Sequence, residues 1–127
     1  MVVALEPIEA LRVLMVYGNP KTKVLCNTRA IQPISVICGD SDYPSLDFLK
    51  QRILELTEHA WFVNATDAAL KLGNPIYGNI MMIGALAAIG DLPMEREDFR
   101  TVISKTLASE KTEANLFAYD MGARMIQ

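Results

Sequence analysis

The sequence predicts an α/β fold: a layered α/β/α domain on a largely parallel sheet. Three observations carry this. Short apolar, strand-like segments at residues 1–5, 23–26, 34–37 and 60–63 alternate with longer stretches of helical periodicity. Proline and glycine punctuate the joins, with Pro7 after the first strand and Gly73 at a helix stop. The fifteen residues from Ile76 to Gly90 carry no charge, so the domain has to bury a helix that is apolar all round. Strands alternating with helices imply crossover connections and parallel pairing.

The elements follow in order. Residues 1–5 form an apolar strand, ended by Glu6-Pro7, which opens a helix with Ile8, Leu11 and Met15 on one face. Gly18-Asn19-Pro20 stops it. Residues 23–26 are the next strand, 34–37 a short third one, and 39–42 a loop. Ser45 is a fitting N-cap for an amphipathic helix with Leu46, Leu49, Ile53 and Leu56 inward. His59 belongs to the C-terminal end of that helix, and residues 60–63 return to strand. Asn64 caps the helix 65–72, with Asp67 in capping-box position. The uncharged helix follows, with Pro75 at its first position and small residues Gly84 and Ala88 spaced for close backbone approach. Glu95, Glu97 and Asp98 suit the start of a further helix, whose inner face is Phe99, Val102, Ile103 and Leu107. A last helix spans residues 112–124, with Ala114, Phe117 and Met121 on one side.

Composition narrows the function classes. At 127 residues, a single domain over 1–127 is the expectation. The hydrophobic share of 51% asks for an apolar interface beyond the core. A net charge of −3, with no basic stripe, excludes nucleic acid as a partner. No apolar run reaches the roughly 20 residues a membrane span requires, and no secretory signal is visible at the N-terminus. Cys26 and Cys38 read as free thiols of a cytoplasmic protein. With one histidine, His59, and two separated cysteines, the chain assembles neither a His-based triad nor a zinc site. Asp40 and Asp42 lack the closing ligands of a calcium loop.

Two groups of residues remain as candidates, and no catalytic residue is assigned. Asn27, Thr28 and Arg29 follow a strand, at the sheet end where open α/β folds bind ligands. Arg29 could hold a carboxylate or phosphate; equally, Asn27 and Thr28 could satisfy turn backbone while Arg29 pairs with a surface acid. Tyr77, Asn79 and Gly84, in the uncharged helix, are interface candidates, since a buried Asn79 amide must find partners.

Several segments also carry a resemblance. Gly73-Asn74-Pro75, Asn79, Met82-Ile83-Gly84-Ala85-Leu86-Ala87 and Leu92-Pro93 resemble the gamma-type domain of 2-oxoacid:ferredoxin oxidoreductases, most of all its indolepyruvate branch. Asn27-Thr28-Arg29, Ile31-Gln32-Pro33 and Leu116-Phe117-Ala118-Tyr119-Asp120-Met121-Gly122 fit the same pattern. The resemblance implies that a first βα unit, with its Gly-rich turn, is missing here, leaving the C-terminal two-thirds of the family domain. It further implies an accessory role beside a large thiamine-dependent catalytic subunit, with ferredoxin involved indirectly. Thiamine diphosphate, iron–sulfur clusters and coenzyme A would then belong to the complex, and none of these cofactors to this chain. The missing unit would expose a sheet edge and favour a homo-oligomer of the isolated chain. The competing expectation is a stand-alone α/β module that binds a small anionic ligand such as coenzyme A through Arg29.

Overall fold

A computed structural model describes residues 1–126, which divide into two compact units, one ending at Val63 and the other starting at Asn64. The first unit holds the sheet. Strand β1 (Val2–Ala4) leads into helix α1 (Pro7–Tyr17), β2 (Lys23–Asn27), α2 (Ile34–Ile37), α3 (Leu46–Glu55) and β3 (His59–Val63). The strands pair in sequence order, β1-β2-β3, and both pairings are parallel. Val2 lies opposite Val24, and Lys23 opposite His59, so the carboxyl ends of the strands line up at one edge of the unit.

The core explains the order. Ala4, Val24 and Cys26 from the strands meet Ala10 and Leu14 of α1 and Ile53 of α3 in one buried cluster. Both crossover helices therefore cover the same sheet face. The buried stripe of α1 is Pro7, Ala10 and Leu14, whereas Met15 is exposed and Ile8 and Leu11 are only half-buried. The inward face is thus shifted from the one the larger side chains suggest, because small Ala10 seats the helix against the sheet. In α3, Leu49 and Ile53 are fully buried, Leu46 borders solvent, and Ser45 caps the helix through the Phe48 N–H at 3.2 Å. His59 begins β3 and does not end a helix; its ring lies 4.1 Å from that of Trp61.

Residues 34–37 are helical, against the expectation of a strand. The carbonyl of Pro33 accepts from Val36 and Ile37, closing a turn. A parallel strand placed so soon after β2 would lack the dozen or so residues that a crossover needs.

The second unit is all helix: α4 (Ala65–Lys71), α5 (Tyr77–Ile89), α6 (Arg96–Thr106) and α7 (Ser109–Arg124). Asn64 caps α4 through the Asp67 N–H at 3.2 Å, as its sequence position suggests. Gly73, with φ +92°, turns the chain after α4, and Asn74 Oδ1 accepts from Ile76 N–H just before α5 begins. Helix α5 packs against α4 and, most extensively, against α7. It does not bury its whole circumference. Met81, Met82, Gly84 and Ala85 are inside, while Asn79 and Ala88 are exposed.

The α5–α7 crossing depends on two glycines. A Cβ built on Gly84 would stand 2.0 Å from the Tyr119 carbonyl oxygen, and one on Gly122 would stand 1.9 Å from that of Met81. Each helix thus presents a glycine to the other's backbone. The close approach anticipated at Gly84 is met inside the chain, by α7. Helix α7 buries Thr112, Leu116, Ala118, Tyr119 and Gly122, leaving Phe117 exposed, so its inner face differs from the expected Ala114, Phe117 and Met121. Helix α6 opens with a reciprocal capping box between Glu95 and Asp98 and buries Ile103, while Val102 faces solvent. It joins α7 through stacked Phe99 and Tyr119 rings, 4.7 Å apart, and a bidentate Arg96–Asp120 pair at 2.6 and 2.9 Å.

Candidate functional site at the strand ends

Asn27, the last residue of β2, is buried. Its Nδ2 donates to the Leu5 carbonyl at 3.3 Å, tying the end of β2 to the residue after β1. The Thr28 N–H donates to the Val63 carbonyl at 2.8 Å, continuing the β2–β3 pairing one step beyond the strand. Thr28 is half-buried and Arg29 exposed. The three residues do share the carboxyl end of the sheet. Asn27 holds the architecture there, and Arg29 is exposed beside it.

Two further residues complete this corner. Glu6 is 5% exposed, rare for a carboxylate unless it is well bonded. It is the N-cap of α1, and its Oε2 accepts from the Glu9 N–H at 2.9 Å. Its other oxygen accepts a hydrogen bond from the Tyr43 hydroxyl. The Ile8 N–H in turn faces the Tyr43 oxygen. Proline at position 7 has no N–H to satisfy. The free amides of the first turn of α1 are therefore engaged by Glu6 and Tyr43, leaving no cradle there for an anion.

Electrostatics at the corner follow from burial. Desolvation, then the hydrogen bond to Glu6, raise the Tyr43 hydroxyl above its ordinary value. The Cys26 thiol is pushed up to about 12, first by burial and second by the nearby Glu6 carboxylate. A thiol held protonated in this way is inert toward electrophiles and metals. Lys50, above the Phe62 ring at 5.5 Å, acts in the opposite direction on Cys26.

Sequence reasoning missed Glu6 and Tyr43. Glu6 precedes Pro7, a helix-start signal, but glutamate ranks low among capping residues. Its bond to Tyr43 spans 37 positions and leaves no local pattern. The other candidates stand in the second unit: Tyr77 and Asn79 on the first turn of α5, half-buried and exposed respectively, and Gly84 in the helix crossing. Asn79 is thus not a buried amide in search of a partner. A hollow of about 490 Å³ lies where α1 and α3 end, walled by Leu11, Leu14 and Leu56 with Arg52 and Glu55 at its edge. It sits at the opposite end of the helices from the strand-end corner and gathers no set of catalytic groups. Among the described residues no three His, Cys, Asp or Glu side chains come together as metal ligands, and no helix is long and apolar enough to cross a membrane.

Comparison with known proteins extends this picture. The family model described as pyruvate ferredoxin/flavodoxin oxidoreductase matches residues 1–125. Curated relatives named indolepyruvate oxidoreductase subunit IorB align along almost the whole chain. The Archaeoglobus fulgidus protein is 36% identical over 120 residues, 94% of this chain and 59% of the relative. Those of Pyrococcus horikoshii and Methanothermobacter thermautotrophicus are 33% and 32% identical, over 97% and 96% of this chain and 61% and 62% of theirs. The chain thus spans about three-fifths of the length of the curated relatives it matches. No solved structure matches.

Proposed function

The chain belongs to the pyruvate ferredoxin/flavodoxin oxidoreductase family, and from that premise we propose that it is an accessory, gamma-type domain of a 2-oxoacid:ferredoxin oxidoreductase acting on indolepyruvate or a related aryl pyruvate. In this reading the complex converts a 2-oxo acid, coenzyme A and oxidised ferredoxin to an acyl-CoA, carbon dioxide and reduced ferredoxin. The chemistry resides on a larger partner subunit that holds thiamine diphosphate and the iron–sulfur clusters.

The observation that carries the proposal is the alignment of 94–97% of this chain with 59–62% of relatives named as subunits of an indolepyruvate oxidoreductase. The residues present agree with an accessory role. Cluster ligation takes several thiolates at defined spacing. Here Cys26 is buried and protonated, and Cys38 is the other thiol, exposed on the surface. The described residues fit neither a cluster nor a thiamine-bound metal, so no step of the reaction is assigned to them. Exposed apolar side chains support burial against a partner. Met15, Val16 and Tyr17 on α1 and Ile31, Ile34 and Ile37 after β2 are all at least 66% exposed.

The test is reconstitution. The purified chain, given thiamine diphosphate, magnesium, coenzyme A, ferredoxin and indolepyruvate, should show no turnover. As bait in its native host it should retain a large thiamine- and cluster-containing subunit, identified by mass spectrometry. Turnover by the chain alone would overturn the accessory role. Failure to retain such a subunit would overturn the assignment to the complex.

A further inference from the structure

The connection from β2 to α3 is an unusual piece of chain. Every residue from 29 to 42 is exposed or half-buried; none is buried. Its one helical turn, α2, buries none of its own residues. Much of its backbone order is internal. The Asp40 and Ser41 N–H groups both donate to the Ser35 carbonyl, at 2.8 and 3.2 Å, and the Ser41 and Ser35 hydroxyls are 3.0 Å apart. A segment with so little burial has little free energy opposing its local opening. The contact that pins its far end is Tyr43, whose hydroxyl is bonded to Glu6 at the start of α1.

We propose that the Tyr43–Glu6 hydrogen bond is a latch. It holds the self-bonded connection 29–42 to the start of α1, at the carboxyl end of the sheet, and its release lets that connection swing away as a unit. The geometry fits the role. The connection leaves from the end of β2, and Tyr43 reaches back to Glu6, the neighbour of Leu5, whose carbonyl receives the Asn27 amide. A phenol donating to a nearly buried carboxylate is a charge-assisted bond, stronger than a neutral one. The rest of the connection has no comparable anchor in buried apolar contacts. The latch belongs to the fold and stands independently of the reaction the complex performs.

Trypsin supplies the test, because Arg29 is the cleavage residue at the start of the connection and the next basic residue is Lys50, inside α3. Cleavage requires the chain around the bond to open locally. Tyr43→Phe keeps the ring and deletes the donor. It should speed cleavage after Arg29 by about tenfold or more, the factor expected when a hydrogen bond to a charged group sets the opening equilibrium. Cleavage after Lys50 should change by less than about twofold, since α3 unfolds only with the unit. Adding Glu6→Gln to Tyr43→Phe should bring no further acceleration after Arg29, because the latch is already gone. Unchanged cleavage after Arg29 in Tyr43→Phe would overturn the proposal. So would acceleration shared equally by Arg29 and Lys50, which reports global destabilisation, or a further tenfold gain in the double variant.

Discussion

Replacing Gly84 by alanine sets two effects of opposite sign against each other. On helix propensity alone the change should stabilise α5, because glycine in a helix interior costs about 1 kcal/mol relative to alanine. The structure says that packing wins. The new Cβ would stand 2.0 Å from the Tyr119 carbonyl oxygen and 2.8 Å from its carbon, both backbone atoms of α7 that no side-chain rotation can clear. The two helices would have to part by roughly 1.5 Å to restore ordinary contact. That movement loosens the α5–α7 crossing, where Met81, Met82, Ala85, Ala118 and Tyr119 are all buried. Overpacking of this kind costs about 1–3 kcal/mol, more when backbone must move. Net of the propensity gain, Gly84→Ala should lose roughly 1–2 kcal/mol, and thermal unfolding followed by circular dichroism should show a midpoint lower by roughly 3–10 °C. Gly122→Ala, facing the Met81 backbone at 1.9 Å, should behave alike. The double variant should lose less than the sum of the two, since one separation relieves both clashes. A Gly84→Ala protein as stable as the parent, or more so, would refute the reasoning.

Two further outcomes follow from the charged and thiol groups. With Cys26 buried and held protonated up to about 12 and Cys38 exposed, a disulfide reagent at pH 8 should titrate one thiol in the native protein and two in denaturant. The raised folded-state value also means that the protonated thiol's contribution to stability is complete below the ordinary thiol range and is lost as pH climbs toward 12, so denaturant midpoints should fall over that window. At the acid end, the Arg96 hydrogen bond holds the Asp120 carboxyl below its ordinary value. Its contribution is present above the usual carboxylate range and disappears as pH falls through the lowered value. Asp120→Asn should therefore cost less than about 1 kcal/mol near neutrality, the range for a pair this open to water, with the difference from the parent vanishing in strong acid.

The sequence made some of this fold readable and hid the rest for identifiable reasons. Helix starts were legible where one residue does the job: Ser45 and Asn64 cap as their positions suggest, and Pro7 opens α1. The parallel α/β arrangement followed from alternation of apolar runs. The segment Ile34–Ile37 misled because four β-branched and small residues look alike in a strand and in one helical turn; the short spacing after β2 decides it. The inner faces of α1 and α7 differ from those their large apolar residues imply, because small Ala10, Ala118 and Gly122 are the residues seated inward. Apolar neighbours imply burial for Asn79, but it lies on the exposed side of α5. At the strand ends, Asn27, Thr28 and Arg29 were placed correctly in the fold, but the carboxylate that dominates the corner was not. The Glu6–Tyr43 contact depends on a long connection folding back, which no local spacing encodes.

The filled cap of α1 fixes a polarity on this end of the molecule. A helix start beside a parallel sheet ordinarily offers partial positive charge to whatever lies beyond it. Here Glu6 and Tyr43 occupy that start, and a carboxylate stands where a phosphate group would otherwise be welcomed. The neighbouring turn, after β2, carries the guanidinium of Arg29. An anion that approaches the start of α1 therefore meets a carboxylate and a phenol where bare amides would otherwise stand.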